Sequence, residues 1–130
     1  MQPFETHSVR MERHLLVTIR TPVHDVERLM LEVTRITPLP MGKNYDCNAF
    51  EAAPGVERYR PLEGAAAGAE TETRRRPGVV DVSFEIPDDQ ELLKKLVEAI
   101  LLAHSYQEPV VQVQPILSAR SKGLDDSKNP

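Results

Sequence analysis

Residues 79–104, "VVDVSFEIPDDQELLKKLVEAILLAH", decide the fold. Val80, Val82, Phe84 and Ile86 alternate with Asp81, Ser83 and Glu85, the period-two pattern of a strand with one face in a core. Pro87 ends that strand. The next residues, "DDQE", match a capping box, with Asp88 as the cap and Glu91 three residues on. The period then lengthens: Leu92, Leu93, Leu96, Val97, Ile100 and Ala103 fall on one stripe of a helix.

The same alternation of strand and helix appears upstream. "HLLVTIRT" reads as a strand with Leu15, Val17 and Ile19 on one face and Leu16, Thr18 and Arg20 on the other. Both faces carry apolar residues, which suits a central position. Thr21-Pro22 reads as an N-cap followed by proline at the first helical position. Val26, Leu29, Met30 and Val33 make the helical stripe, which should stop near Ile36 because Thr37 precedes Pro38. "TPLPMGKN" is a turn. "NYDCNAFEA" alternates Tyr45, Cys47 and Ala49 against Asp46, Asn48 and Phe50 and predicts a second strand, with Cys47 in its core face.

Pro54-Gly55 punctuates the chain, "VERYRPL" is a short extended piece, and "EGAAAGAETET" is a flexible loop with little to bury. Downstream of the second helix, "PVVQVQPI" gives a last strand with Val111 and Val113 on one face. The expected organisation is a flexible N-terminus over 1–13, one domain over 14–117 and a disordered tail over 118–130. That order predicts an α+β, ferredoxin-like antiparallel sheet with two helices on one face. Leu16, Val110 and their neighbours would leave the other face moderately apolar, so a homo-oligomer is expected to cover it.

Composition narrows the function. At 130 residues the chain is one domain, able to bury roughly two-thirds of its unfolded surface. A net charge of −4, with three Phe, three Tyr and no Trp, offers neither a basic footprint nor a stacking platform for nucleic acid. Cys47 is the single cysteine, which excludes an intrachain disulfide and suits a reducing compartment. No run of apolar residues is long enough for a membrane span, and "MQPFETHSVRMERH" holds no signal-like apolar region. A cytoplasmic protein without membrane partners is expected.

Three stretches, "GKNYDCNAFEA", "GVERYRPLEG" and "AHSYQEP", occur in an order and spacing that resembles the YqfO family. That family also resembles the insert domain of dinuclear-metal proteins related to the yeast NGG-interacting factor. The resemblance spans Leu15 to Ile116 and is strongest in "RYRPLEG" and "HSYQEP". It implies a ferredoxin-like fold similar to CutA and the PII signalling proteins, many of which are trimers. It therefore favours a trimer over a dimer. The chain departs from the family pattern where Cys47 lies two residues after Tyr45 rather than three, where Ser105 and Gln107 replace Pro and Glu, and where "AAAGAE" replaces an Asn-Pro-Phe-Ile-Gly loop.

The candidate site residues fall in two segments. Arg58, Tyr59, Arg60 and Glu63 flank the glycine loop, and Arg58 and Arg60, two apart on an extended chain, could fork an anion. Arg74, Arg75 and Arg76 add charge at the far end of the loop, and a plainer reading pairs the arginines with Glu57, Glu63 and Glu70. His104, Tyr106 and Glu108 lie where the second helix hands over to the last strand. His104 and Glu108 could be two ligands of a divalent metal. The plainer reading makes His104 a helix C-terminal residue bonding the last carbonyls, and Tyr106 a packing residue. A non-enzymatic regulatory or small-ligand-binding protein, taking an anion, a nucleotide or a metal, is the function expected. Partner docking through the 64–76 loop is the alternative, and a hydrolase using Cys47 with His104 stands third.

Overall fold

The computed structural model describes residues 1–123. The elements run β1 (Val9–Pro22), α1 (Val26–Ile36), β2 (Phe50–Glu51), β3 (Gly55–Tyr59), β4 (Arg74–Pro87), α2 (Gln90–Ala103) and β5 (Val111–Ser121). The strands form one antiparallel sheet in the order β2-β4-β1-β5, with β3 also pairing β4.

The predicted alternation sets the register. Leu15 lies opposite Ile86, Val17 opposite Phe84 and Ile19 opposite Val82. The first two of these pairs and Ile19 bury with Leu29 and Val33 of α1 and Leu96 and Ile100 of α2 in one cluster. Val82 joins a smaller one with Val26 and Val80. Both helices thus cover one face of the sheet, as predicted. Burying side chains of this size removes apolar surface worth about 1.5–3 kcal/mol each, and that holds the two layers together.

The structure moves several local expectations. Thr21 does not cap α1: it is buried in β1 opposite Val80, since a ladder position satisfies its backbone better than a cap would. A 3-10 turn, Val23–Asp25, makes the corner instead. At α2 the cap is Asp89, one residue later than read, and its Oδ1 accepts from the amides of Glu91 at 3.0 Å and Leu92 at 3.1 Å. Because β4 continues to Pro87, Asp88 is too early to close the helix. β1 begins at Val9, so residues 9–13 belong to the sheet, and β5 runs to Ser121. The rest of the expected tail, residues 124–130, lies outside the described residues.

The strand expected over 44–52 shrinks to Phe50–Glu51. Cys47 has φ 52°, a left-handed conformation no strand tolerates, and it is exposed rather than in a core. Its amide donates to Pro38 O at 2.7 Å and that of Asn48 to Leu39 O at 3.1 Å, folding this segment back on the 37–40 turn. Leu39, φ 53°, is held in that turn with its side chain in the main core.

The open face of the sheet is mixed: the register places Leu16, Phe50 and Ile116 on it, with Phe50 70% exposed, among polar pairs from β1 and β4. Thr18 Oγ1 meets Ser83 Oγ at 3.0 Å, and Arg20 Nε donates to Asp81 Oδ1 at 2.8 Å. Farther along, Glu85 Oε1 lies 3.3 Å from His14 Nδ1 and 3.4 Å from Arg120 Nη2. Register explains this: the residues between the core positions of β1 and β4 are those with polar side chains, Leu16 excepted.

Candidate functional site

At one end of the sheet, β3 and β4 form a hairpin whose register places Tyr59 opposite Arg74, Arg58 opposite Arg75 and Glu57 opposite Arg76. Between Gly55 and Val56 the register slips, and Gly78, φ 70°, takes the extra residue of the bulge. Side chains alternate, so Glu57, Tyr59, Arg74 and Arg76 share one face of the hairpin, while Arg58 and Arg75 share the other.

Arg76 is the centre of the first face. Its guanidinium carbon lies 4.4 Å from the Tyr59 ring centroid and 4.2 Å from that of Tyr106. Nη2 donates to Tyr59 Oη at 2.6 Å, and Glu57 lies 3.9 Å from Nη1. Arg74 donates to the same hydroxyl at 3.3 Å and is itself held by Glu70 through two hydrogen bonds. Hydrogen bonding from Arg74, with Arg76 adding to it, lowers the Tyr59 pKa. Burial, partly offset by Arg76, raises that of Tyr106, whose hydroxyl is buried without a hydrogen-bond partner of its own among the described residues. Two rings lie against the guanidinium and Tyr59 Oη takes one of its N–H groups, so the N–H groups not used there are what it offers an oxyanion.

His104 fixes the second segment. It is buried at 7% exposure, and its ring lies 4.7 Å from that of Tyr106. Nδ1 accepts from the Tyr106 amide at 3.0 Å, so Nε2 carries the proton and donates to Arg20 O at 2.7 Å. The helix-ending carbonyl of Ala103 is taken by Arg28 instead of His104. Ser105 Oγ donates to Asp25 Oδ2 at 3.0 Å, and Gln107 Oε1 accepts from the Ala66 amide at 3.2 Å. Burial works to raise the Asp25 pKa, but Ser105 and Arg28 outweigh it and hold the carboxyl below its ordinary value. The corner is therefore tied to β1, to the start of α1 and to the glycine loop at once.

A divalent metal does not fit these residues. Both His104 nitrogens are engaged within the protein, Glu108 is exposed, and among the described residues no three His, Cys, Asp or Glu side chains gather as ligands. Cys47 and His104 are not activated as a nucleophilic pair. Asp46 beside Cys47 pushes the thiol pKa up, the reverse of what a nucleophile needs, and His104 has no free lone pair.

Of the predicted site residues, the structure brings together Tyr59, Tyr106 and His104. Arg58, Arg60, Glu63 and Glu108 are exposed and make no ion pair among the described residues. Arg76, read only as added charge beyond the loop, and Glu57, read only as a pairing partner, are site members, and the plainer pairing is seen in Glu57 with Arg76 and Glu70 with Arg74. The signal was present as two Arg at alternate positions facing Tyr59 and Glu57, but only the bulged register aligns them. Beside the stack lies a cleft of about 570 Å³, lined by Pro22, Val23, His24, Arg76, Ser105 and Tyr106.

Among solved structures, a protein related to NIF3 from Bacillus cereus superposes with TM-score 0.65 at 24% identity, over 87% of this chain and 27% of that one. The divalent ion tolerance protein CutA1 from Ehrlichia chaffeensis gives 0.59 at 13% identity, over 90% and 89% of the two chains. GlnK from B. subtilis gives 0.52 at 12% identity, over 81% and 86%. The chain has the PII-like, CutA-like ferredoxin fold. It spans about a quarter of the NIF3-related protein's length and nearly all of CutA1. No family model matches the chain, and no curated protein matches it. No helix among the described residues is long and apolar enough to cross a membrane.

Proposed function

We propose that this protein is a non-enzymatic, regulatory or small-ligand-binding protein of PII-like, CutA-like fold that takes a small anion at Arg76. The observation that carries the reading is Arg76 held against the Tyr59 and Tyr106 rings at the rim of the cleft of about 570 Å³. A guanidinium packed against two rings and bonded to the Tyr59 hydroxyl has already lost much of its rotational freedom, so an oxyanion meeting its unused N–H groups costs less further ordering. The cation is also partly withdrawn from water, which strengthens its field in the cleft. Tyr106 and His104 shape the wall, and Tyr59 sets the orientation of the guanidinium.

The test is thermal shift of the intact protein against phosphate, dicarboxylates, nucleotides and divalent metals. An anion raises the melting midpoint by linkage, and Arg76→Met, which keeps the stacked volume, removes that rise. Flat midpoints with every anion refute the reading.

We further propose that the protein is a homo-oligomer, a trimer rather than a dimer. This rests on the family resemblance, with Leu16, Phe50 and Ile116 on the open face as apolar surface to cover. Light scattering across a tenfold dilution should return three times the chain mass. A constant monomer mass would remove the proposal.

A further inference from the structure

On its outer face the β3–β4 hairpin carries charge of a different kind. Arg58 and Arg75 are directly opposite each other in the register, and both are exposed. Arg60 follows two residues after Arg58, just past the end of β3, and is exposed as well. None of the three makes an ion pair among the described residues, although the chain holds more acids than bases. Two of the nearby acids are engaged elsewhere, Glu57 facing Arg76 and Glu70 holding Arg74, and Glu63 and Glu72 make no ion pair with these arginines. Like charges directly opposite on a sheet face destabilise it. The hairpin keeps such a pair together with no counter-charge of its own.

The second observation is the backbone beside them. β3 pairs with β4 on one side only, and among the described residues Gly55–Tyr59 makes no backbone hydrogen bond on its outer edge. An open edge with cations at alternate positions has the spacing of an extended chain, whose side chains also repeat every second residue on one face. We propose that this edge takes up an acidic, extended segment of a partner protein as an added strand. Main-chain hydrogen bonds to β3 would hold the segment, and carboxylates at alternate positions would meet Arg58, Arg60 and Arg75. The proposal is independent of the Arg76 cleft, which uses the other face of the same hairpin.

The competing account is that the arginines merely keep a bare edge from pairing with another copy. Fluorescence polarisation of the intact protein with a labelled decapeptide of alternating Glu and Thr separates the two. We expect saturable binding that weakens with salt and falls at least about tenfold in Arg58→Glu and in Arg75→Glu. The same peptide N-methylated at every second residue should lose binding, because it cannot add to the edge. Arg75→Glu should also raise the melting midpoint, since it replaces a like-charge pair by an opposite one; this separates lost binding from lost folding. Absence of saturable binding up to about 1 mM peptide overturns the proposal. Unchanged binding in the charge-reversed variants, undiminished binding of the N-methylated peptide, or full displacement by equimolar inorganic triphosphate does so too.

Discussion

The pairing that sets Val17 against Phe84 on the helix-covered face sets Thr18 against Ser83 and Arg20 against Asp81 on the open one. The same backbone ladder serves both faces, yet the energetics differ. On the covered face, Val17 and Phe84 are 0% and 2% exposed, and each contact replaces water by carbon. On the open face the side chains of Arg20 and Asp81 keep 36% and 37% of their exposure, so water competes for the pair and screens it. The covered face therefore supplies stability and the open face supplies pattern. Chemistry concentrates at the end of the sheet where the two meet, at the His104 corner.

The largest effect should come from the covered face. Phe84→Ala removes a ring from the middle of the core and should cost about 3–5 kcal/mol in denaturant unfolding. A loss well under that range would mean that the helices do not press on this position. Next in size is the corner. His104→Leu leaves the Arg20 carbonyl and the Tyr106 amide without their partner, for a loss of about 1–3 kcal/mol. An unaffected midpoint would show that water reaches those groups, and that the corner belongs with the exposed regions.

Smaller still is the open face. A double-mutant cycle on Arg20 and Asp81 should give a coupling of about 0.2–1 kcal/mol that shrinks as salt is added. A coupling several times larger and indifferent to salt would mean that this face is covered in solution, as the proposed oligomer would cover it. The smallest effect is confined to alkaline pH. Tyr59 should ionise before an ordinary tyrosine and Tyr106 after it, because Arg74 and Arg76 favour the phenolate of the first while burial disfavours that of the second. In linkage terms the raised Tyr106 value gives stability that is whole below the unfolded-state pKa and is lost as pH rises through the folded one. The depressed Tyr59 value works in the opposite sense, adding stability above its unfolded-state pKa. Ultraviolet titration of the wild type, Tyr59→Phe and Tyr106→Phe checks the order: the first variant should lose the early phase and the second the late one.

Local chemistry misled the reading of the sequence wherever a long-range contact overrode it. The residues 44–50 alternate as a strand should, but Cys47 and Asn48 find partners in the 37–40 turn, and alternation alone cannot weigh a turn against a ladder. Thr21 and Pro22 have the composition of a helix start, and β4 claims them for the sheet. His104 and Glu108 have the spacing of a ligand pair, but the histidine spends both nitrogens on backbone groups, one of them on a strand far away in sequence.

By itself the sequence determined the layers. Alternation in 15–20 and 80–86, and helical stripes in 26–33 and 92–103, are properties of neighbouring residues, and hydrophobic burial acts on them wherever the chain goes. Only the tertiary structure decided which arginine packs against Tyr59 and Tyr106 and which are left facing water. That choice depends on a one-residue bulge at Gly78 and on a helix end brought against a hairpin, and no local pattern encodes the register of two distant segments.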